Sequence, residues 1–316
     1  MVPTLNVDFS LATSGVPNKD DILQSVRSNV ESESNKEQSN KGEEEEEEGN
    51  VTTNHLTLKE AEMALNLLPN FIESRSASSD AALKHLSELR NMMVVGFARR
   101  KQKLEEISQK LNRNNKLFHY RVVDLTKEED ILSGFKWVAE NVGPVHILVN
   151  NGGVGRLVDL MEGDTILWKE VMDTNVIALC IATREAIKEM KKNNVDGHIV
   201  HINSMAGHVV FSNSNIYTAS KFAVTALTEA LRKELVAAKS KIKITSVSPG
   251  FVATDFMHAK FERSKQNFND SDVCKYLSTC PALVPEDIAN AVVYTLGTPP
   301  HVQVHEIMIR PVGETI

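Results

Sequence analysis

The feature that most constrains the fold is a regular alternation of apolar strands and amphipathic helices from about Met92 to Ile309. Met92–Phe97 is a continuous apolar run, followed by a helical pattern over Lys101–Asn112. Phe118–Val123 and Val145–Val149 read as strands, separated by a helix from Lys127 to about Asn141. A long helix, about Thr165–Asn193, leads to the strand His198–Ile202, and another, about Asn215–Ala238, leads to Lys243–Ser248. A helix over Pro285–Leu296 precedes a last strand, Val302–Ile309. Strands that are apolar throughout are buried on both faces, and helices between them supply the crossovers of a parallel sheet. The fold class is therefore α/β, a doubly wound parallel sheet.

The segment before this pattern differs in kind. Residues 1–50 hold twelve acidic side chains against four basic ones, so the net charge of −7 belongs to a leader and the remainder sums to about +1. Met1 to about His55 is rich in Ser, Asn and Glu and includes Glu43–Glu48, six adjacent carboxylates that repel one another and bury nothing. A disordered acidic leader over 1–55 and a folded domain over 56–316 are expected. Leu5, Val7, Phe9 and Leu11 alternate with polar residues at a strand period. Thr57-Leu-Lys-Glu60 reads as a capping box for a helix stopped by Pro69, and a second helix fits Asp80–Arg90.

The near-neutral body carries no electrostatic signature of nucleic-acid or membrane binding. No apolar run approaches the ~20 residues needed to span a bilayer. Three cysteines, Cys180, Cys274 and Cys280, are too few for a disulfide framework, and no Cys-x-x-Cys pair suggests a metal. A soluble, cytoplasmic protein without a metal is expected.

In open parallel sheets ligands sit at the carboxyl ends of the strands. Arg99 and Arg100 follow the first strand read here, and arginines there suit a 2′-phosphate or simply open a solvated helix. Asp124 follows the next strand, placed to meet an adenine amino group or to cap the following helix. Asn150-Asn151-Gly152-Gly153 ends the third strand; its amides can tie strands together, its glycines admit a ligand to the backbone, and a plain turn would also use them. Ser204 follows the fourth strand. Thirteen residues on, Tyr217 opens a helix with Lys221 one turn later on the same face. An ammonium beside a phenol lowers its pKa and lets it exchange a proton near neutrality, while a serine hydroxyl can hold the same substrate oxygen. Of the four tyrosines only Tyr217 has lysine at that offset; Tyr120, Tyr276 and Tyr294 are followed there by Asp124, Cys280 and Thr298.

These residues resemble the short-chain dehydrogenase/reductase family, in particular its farnesol-dehydrogenase-like and member-11-like branch. The matching elements are VVGFARR (94–100), VVDL (122–125), NNGG (150–153), Asn175 within MDTNV, INSMAG (202–207), YTASK (217–221), SPGFVATDF (248–256) and the ending PPHVQVHEIMIRPVGE (299–314). They cover about Met92 to Ile316, 225 of the 316 residues.

The resemblance implies a Rossmann-like domain using NADP to transfer hydride between the nicotinamide and a hydrophobic alcohol or carbonyl, isoprenoid- or steroid-like. Tyr217 would be the acid/base, Lys221 its pKa modulator and a ribose ligand, Ser204 the partner of the substrate oxygen, and Asn175 the holder of a relay water. Arg99, with Arg100, would take the 2′-phosphate, Asp124 the adenine, and Asn150 and Gly152 would line the cofactor. Pro249, Gly250, Val252 and Thr254 would border the nicotinamide. The resemblance also implies a lid over 256–283 and a homodimer or homotetramer through the two long helices, with Ile177, Leu179 and Ile181 on their apolar faces.

Two departures stand against it. Gly152 replaces the family's usual Ala. More seriously, the family opens with a strand and a Thr-Gly-x-x-x-Gly-x-Gly turn that cradles the pyrophosphate. Here no glycine occurs between Gly49 and Gly96, and Ala77-Ser78-Ser79 stands where that turn would end. The family's first strand is central, so either another segment fills its place or the sheet closes up. A catalytically impaired relative that acts by binding, or an altered gene product, is the alternative reading.

Overall fold

The computed structural model describes residues 92–112, 118–211, 214–254, 256 and 280–315. The acidic leader, the domain boundary near 56, the strand-period segment 5–11, the helices over 57–68 and 80–90 and most of the lid (257–279) lie outside the described residues.

The alternation holds throughout: β1 (Val94–Ala98), α1 (Lys101–Leu111), β2 (Phe118–Val122), α2 (Glu128–Asn141), β3 (Ile147–Asn150), α3 (Thr165–Met172), α4 (Ala178–Lys192), β4 (His198–Ile202), α5 (Asn215–Ala237), β5 (Lys243–Pro249), α6 (Pro285–Leu296) and β6 (Glu306–Ile309). Every strand pairing is parallel. Neighbouring residues of β4 face opposite layers, as the period of two requires. Ile199 joins Ile131 and Phe135 of α2, Ala182 and Ala186 of α4 and Leu235 of α5. Val200 joins Val247 of β5 and Ala291 of α6 on the other side. Both faces are covered, and the sheet is doubly wound. Among the described residues no helix is long and apolar enough to cross a membrane.

The sheet comes in two pieces. β1 pairs with β2, and β3-β4-β5-β6 form a second sheet. Among the described residues no strand pairs with β1 on its other side, or with β3 on the side away from β4. Val149, in the middle of an apolar strand, is accordingly 40% exposed. Among the described residues β1 and β3 have not closed up into one sheet. The pieces still share one apolar cluster, in which Phe97, Val123 and Leu125 pack with Leu148 and Ile199.

Two expected elements differ in form. The long helix over 165–193 is interrupted by one π turn, Asp173–Ile177. The last strand is four residues long instead of eight, because side chains take the preceding carbonyls: Lys243 Nζ donates to Val302 O (3.3 Å) and Thr245 Oγ1 to Val304 O (2.6 Å).

Candidate active site

The residues singled out at strand ends sit at the carboxyl edges of these two sheets, as the parallel pairing dictates. Ser204 N-caps a short 3₁₀ turn, Met205–Gly207, and its Oγ accepts from Ala206 N at 3.0 Å. That bond occupies a lone pair and leaves the hydroxyl hydrogen to donate outward. The outward partner is the Tyr217 hydroxyl. Lys221 lies one turn further along α5, 7% exposed, with Nζ 5.9 Å from the centre of the Tyr217 ring. It donates to Ile202 O at 2.9 Å, the last carbonyl of β4.

The protonation of this group departs from the expectation. The Tyr217 phenol is not lowered but pushed up to about 12: burial dominates, and the Ser204 hydrogen bond offsets it only in part. Burial also pushes Lys221 down to about 8. Desolvation penalises the charged form of each in the free protein.

Asn175 sits in the π turn, a helix defect that frequently marks a functional site. Its Oδ1 accepts from Val154 N (2.8 Å), and its Nδ2 donates to Val154 O (2.9 Å) and to Ser220 Oγ (3.0 Å). Both amide hydrogens are therefore committed within the protein. The side chain acts as a tie: Ser220 Oγ passes the chain on to Tyr217 O at 2.6 Å. Asn175 thus joins the loop after β3 to the first turn of α5.

The expected cofactor residues divide in two. Arg99 and Arg100 are exposed beyond β1. Burial alone would raise the Asp124 carboxyl, yet hydrogen bonds from Thr126 and the charges of Arg99 and Lys127 bring it below its ordinary range. Asp124 Oδ1 accepts from Thr126 N (3.1 Å) and Oγ1 (2.8 Å), a local turn ahead of α2, whose N-cap is Lys127 without a side-chain cap bond. Asn150 Nδ2 donates to Thr183 Oγ1 (3.0 Å), tying β3 to α4. A Cβ on Gly152 would meet Leu125 Cδ1, the end of a flexible side chain. On Gly153 it would meet only Asn175 Oδ1, at 3.5 Å.

On the other side of the site, Pro249 ends β5 and Gly250 N donates to Ile309 O at 2.7 Å. Val252 bridges Leu283, and Thr254 Oγ1 accepts from Phe256 N at 3.4 Å. Phe256 lies against Tyr217, ring centres 5.6 Å apart. Among the described residues no three His, Cys, Asp or Glu side chains gather as a metal site would require.

Sequence reasoning missed three contributors. Ser220 lies inside the YTASK motif and could have been found there. Arg156, 3% exposed, forks onto Glu170 (3.0 and 2.6 Å) and holds the loop after β3 against α3; a lone arginine in a loop gives no signal. Glu306 on β6 accepts from Ser248 Oγ at 2.7 Å, and nothing in a short apolar strand marks its one carboxylate as turned toward the site. Of the three apolar residues expected between subunits, Leu179 is buried and Ile181 packs on the core, because the helix turns that face inward; Ile177 alone is half exposed.

Residues 80–265 match the short chain dehydrogenase family. Farnesol dehydrogenase of Aedes aegypti is 47% identical over 227 residues, 71% of this chain and 87% of that one. Dehydrogenase/reductase SDR family member 11 of Mus musculus is 41% identical over 246 residues, 76% of this chain and 92% of that one. Among solved structures, the closed form of serine dehydrogenase complexed with NADP+ superposes with a TM-score of 0.65 at 25% identity, covering 74% of this chain and 92% of that chain. A single-site variant of actinorhodin polyketide ketoreductase with NADPH gives 0.62 at 25% identity, covering 71% and 88%.

Proposed function

The chain belongs to the short-chain dehydrogenase family, and from that premise we propose that it is an NADP-dependent oxidoreductase of hydrophobic alcohols or carbonyls. The observation that carries this reading is the Ser204–Tyr217–Lys221 group at the end of β4. NADP(H), when bound, supplies or accepts the hydride. With its pKa at about 12, the Tyr217 phenol keeps its proton at neutral pH and can give it to a carbonyl oxygen. Ser204, its lone pair held by Ala206 N, donates to the same oxygen. Lys221 is anchored at Ile202 O and would hold a ribose hydroxyl of the cofactor.

Arg99 and Arg100 would take the 2′-phosphate, Asp124 the adenine, Asn150 and Gly152 the middle of the site, and Pro249, Gly250, Val252 and Thr254 the nicotinamide end. Phe256 against Tyr217 favours an apolar substrate, and the Aedes aegypti relative is a farnesol dehydrogenase, so an isoprenoid- or steroid-like alcohol or carbonyl is the class to test. Assembly as a homodimer or homotetramer through α4 and α5 goes with the exposure of Ile177, Phe222 and Val236.

Two observations favour a second reading, a relative that retains the fold but is impaired in catalysis. The edges of β1 and β3 are unpaired among the described residues, and Leu125 lies over Gly152. Titration of NADPH into the purified full chain, followed by cofactor fluorescence, separates the two. Saturable binding together with NADPH oxidation on adding farnesal supports the oxidoreductase; no binding up to millimolar cofactor overturns it.

A further inference from the structure

Two carboxylates on the C-terminal segment reach back to the two halves of the site. Glu306 pairs across from Ser246 at the start of β6; its Oε1 accepts from Ser248 Oγ at 2.7 Å and Ser246 Oγ at 3.2 Å, and His208 Nε2, hydrogen-bonded to Ser248 Oγ at 3.2 Å, stands 2.8 Å from the same oxygen. His208 directly follows the 3₁₀ turn that Ser204 caps, and its N–H is bonded to Met205 O at 3.0 Å. Glu306 therefore grips the far end of the turn whose first residue donates to the Tyr217 hydroxyl. The near side of that turn is held from α5, where Thr225 Oγ1 donates to Gly207 O at 3.0 Å and accepts from Asn203 Nδ2 at 2.8 Å.

Eight residues further on, Glu314 Oε1 accepts from Phe251 N at 2.9 Å. A Cβ on Gly250 would stand 2.5 and 2.6 Å from the two carboxylate oxygens, so the glycine allows this approach. Oε2 is buried without a hydrogen bond, its nearest cation being Arg310 Nε at 3.9 Å. A charged group taken out of water must be compensated by donors. Here the donors to Glu306 are Ser246 and Ser248 of β5, with His208 beside them at the end of the Ser204 turn, and the donor to Glu314 lies in the Gly250 loop.

We propose that Glu306 and Glu314 are positioning residues forming a two-point clamp, in which Glu306, through His208, aligns the substrate-oxygen donor Ser204, and Glu314 aligns the loop at the nicotinamide end. This rests on the functional reading above. The two grips act on different partners, and a general loss of stability would not separate them.

The test uses Ala and Gln at each position in the full chain, with folding checked by circular dichroism. Glu306→Ala should lower kcat/KM for the carbonyl at least tenfold while the Kd for NADPH stays within twofold. Glu314→Ala should raise the Kd for NADPH at least fivefold. Gln, which keeps an acceptor oxygen, should recover most of each loss. His208→Ala should copy Glu306→Ala, and the double variant should lose no more than either alone, as expected of residues acting as one unit. Hydrogen exchange reads the same split without turnover: faster at 204–209 for Glu306→Ala and at 250–253 for Glu314→Ala. Equal effects of both variants on both readouts, or no recovery with Gln, overturn the clamp. Absence of NADPH-dependent turnover in the natural chain overturns the functional reading instead, and the exchange pattern still decides the clamp.

Discussion

Lys221 stands one helical turn after Tyr217, yet its ammonium donates to the backbone carbonyl of Ile202 at 2.9 Å and keeps 5.9 Å from the centre of the phenol ring. The pair is poised as an acid in the free protein. Burial pushes the phenol up to about 12 and the ammonium down to about 8, and the carbonyl gives the ammonium a fixed seat that does not depend on the tyrosine.

Replacing Tyr217 by Phe removes only the hydroxyl that exchanges the proton. Turnover should fall by ~10²–10⁴, the usual contribution of a general acid, with the melting temperature nearly unchanged. Steady-state kinetics of carbonyl reduction check this, and a Tyr217→Phe protein as active as the natural one would remove Tyr217 from the chemistry.

Lys221 also sets a pH dependence of stability. Its folded pKa, about 8, lies below the ordinary 10.5, so between these values the unfolded chain binds more protons and stability rises with pH. Tyr217 acts oppositely: its folded pKa of about 12 exceeds the ordinary 10.0, so above pH 10 the folded state holds the extra proton and stability falls. Urea unfolding should show a rise from about pH 8 to 10 and then a decline. Lys221→Met should abolish the rise and stabilise the protein at pH 7 by on the order of 1–3 kcal/mol, at the expense of activity. A rise that survives Lys221→Met would mean another group is responsible.

Arg99 and Arg100 stand exposed after β1, with Arg99 close enough to lower the Asp124 carboxyl. Arg99→Asp replaces a phosphate partner by an acceptor that repels phosphate and suits a ribose hydroxyl. The ratio of kcat/KM for NADPH over NADH should drop at least tenfold. An unchanged ratio would leave these arginines facing only solvent.

Much of this is legible in the residues, for physical reasons. His198–Ile202 and Pro285–Leu296 match their expected bounds because an unbroken apolar run and a proline-opened helix are local signals. The Tyr217–Lys221 pair is legible because four residues is one turn. The π turn at Asp173–Ile177 is not, since its hydrogen-bond shift leaves the apolar period of the helix almost untouched. Nor is the direction of the Tyr217 shift, which depends on burial by residues distant in sequence. The division of the sheet can be anticipated from the glycine-free stretch before Gly96, but its form requires the pairing itself.

His201 gives a prediction independent of activity. Thr228 Oγ1 donates to Val224 O (2.8 Å), so it must accept from His201 Nδ1 (2.9 Å), which fixes the hydrogen on Nδ1. His201 Nε2 then accepts from Thr183 Oγ1 (3.3 Å), which accepts from Asn150. Burial and then the Lys221 charge pull the imidazole down to about 3. Its ¹⁵N resonances should report a neutral Nδ1–H ring, unchanged from pH 5 to 8. A ring that titrates in that range would break the chain from β3 through α4 and β4 to α5.

The last prediction concerns the phosphates of the cofactor. β1 and β3 present edges that no described strand pairs, and no glycine-rich turn precedes β1 in the sequence. Hydrogen bonds to charged groups contribute roughly 1.5–3 kcal/mol each, and a cradle of backbone amides at a helix N-terminus supplies several. Arg99 and Arg100 can hold the 2′-phosphate, but they stand at the far end of the cofactor from the nicotinamide loop. NADPH should therefore bind at least tenfold more weakly than to the Aedes aegypti relative, a difference of ~1.4 kcal/mol or more. Replacing residues 1–79 with a strand and a Thr-Gly-x-x-x-Gly-x-Gly turn should restore affinity, because a parallel strand between β1 and β3 satisfies both edges and aims the turn at the pyrophosphate. Calorimetry on both chains at equal salt checks it. Micromolar or tighter binding by the natural chain would mean that a segment of residues 1–76 already supplies a phosphate site, and the impaired-relative reading would fall with it.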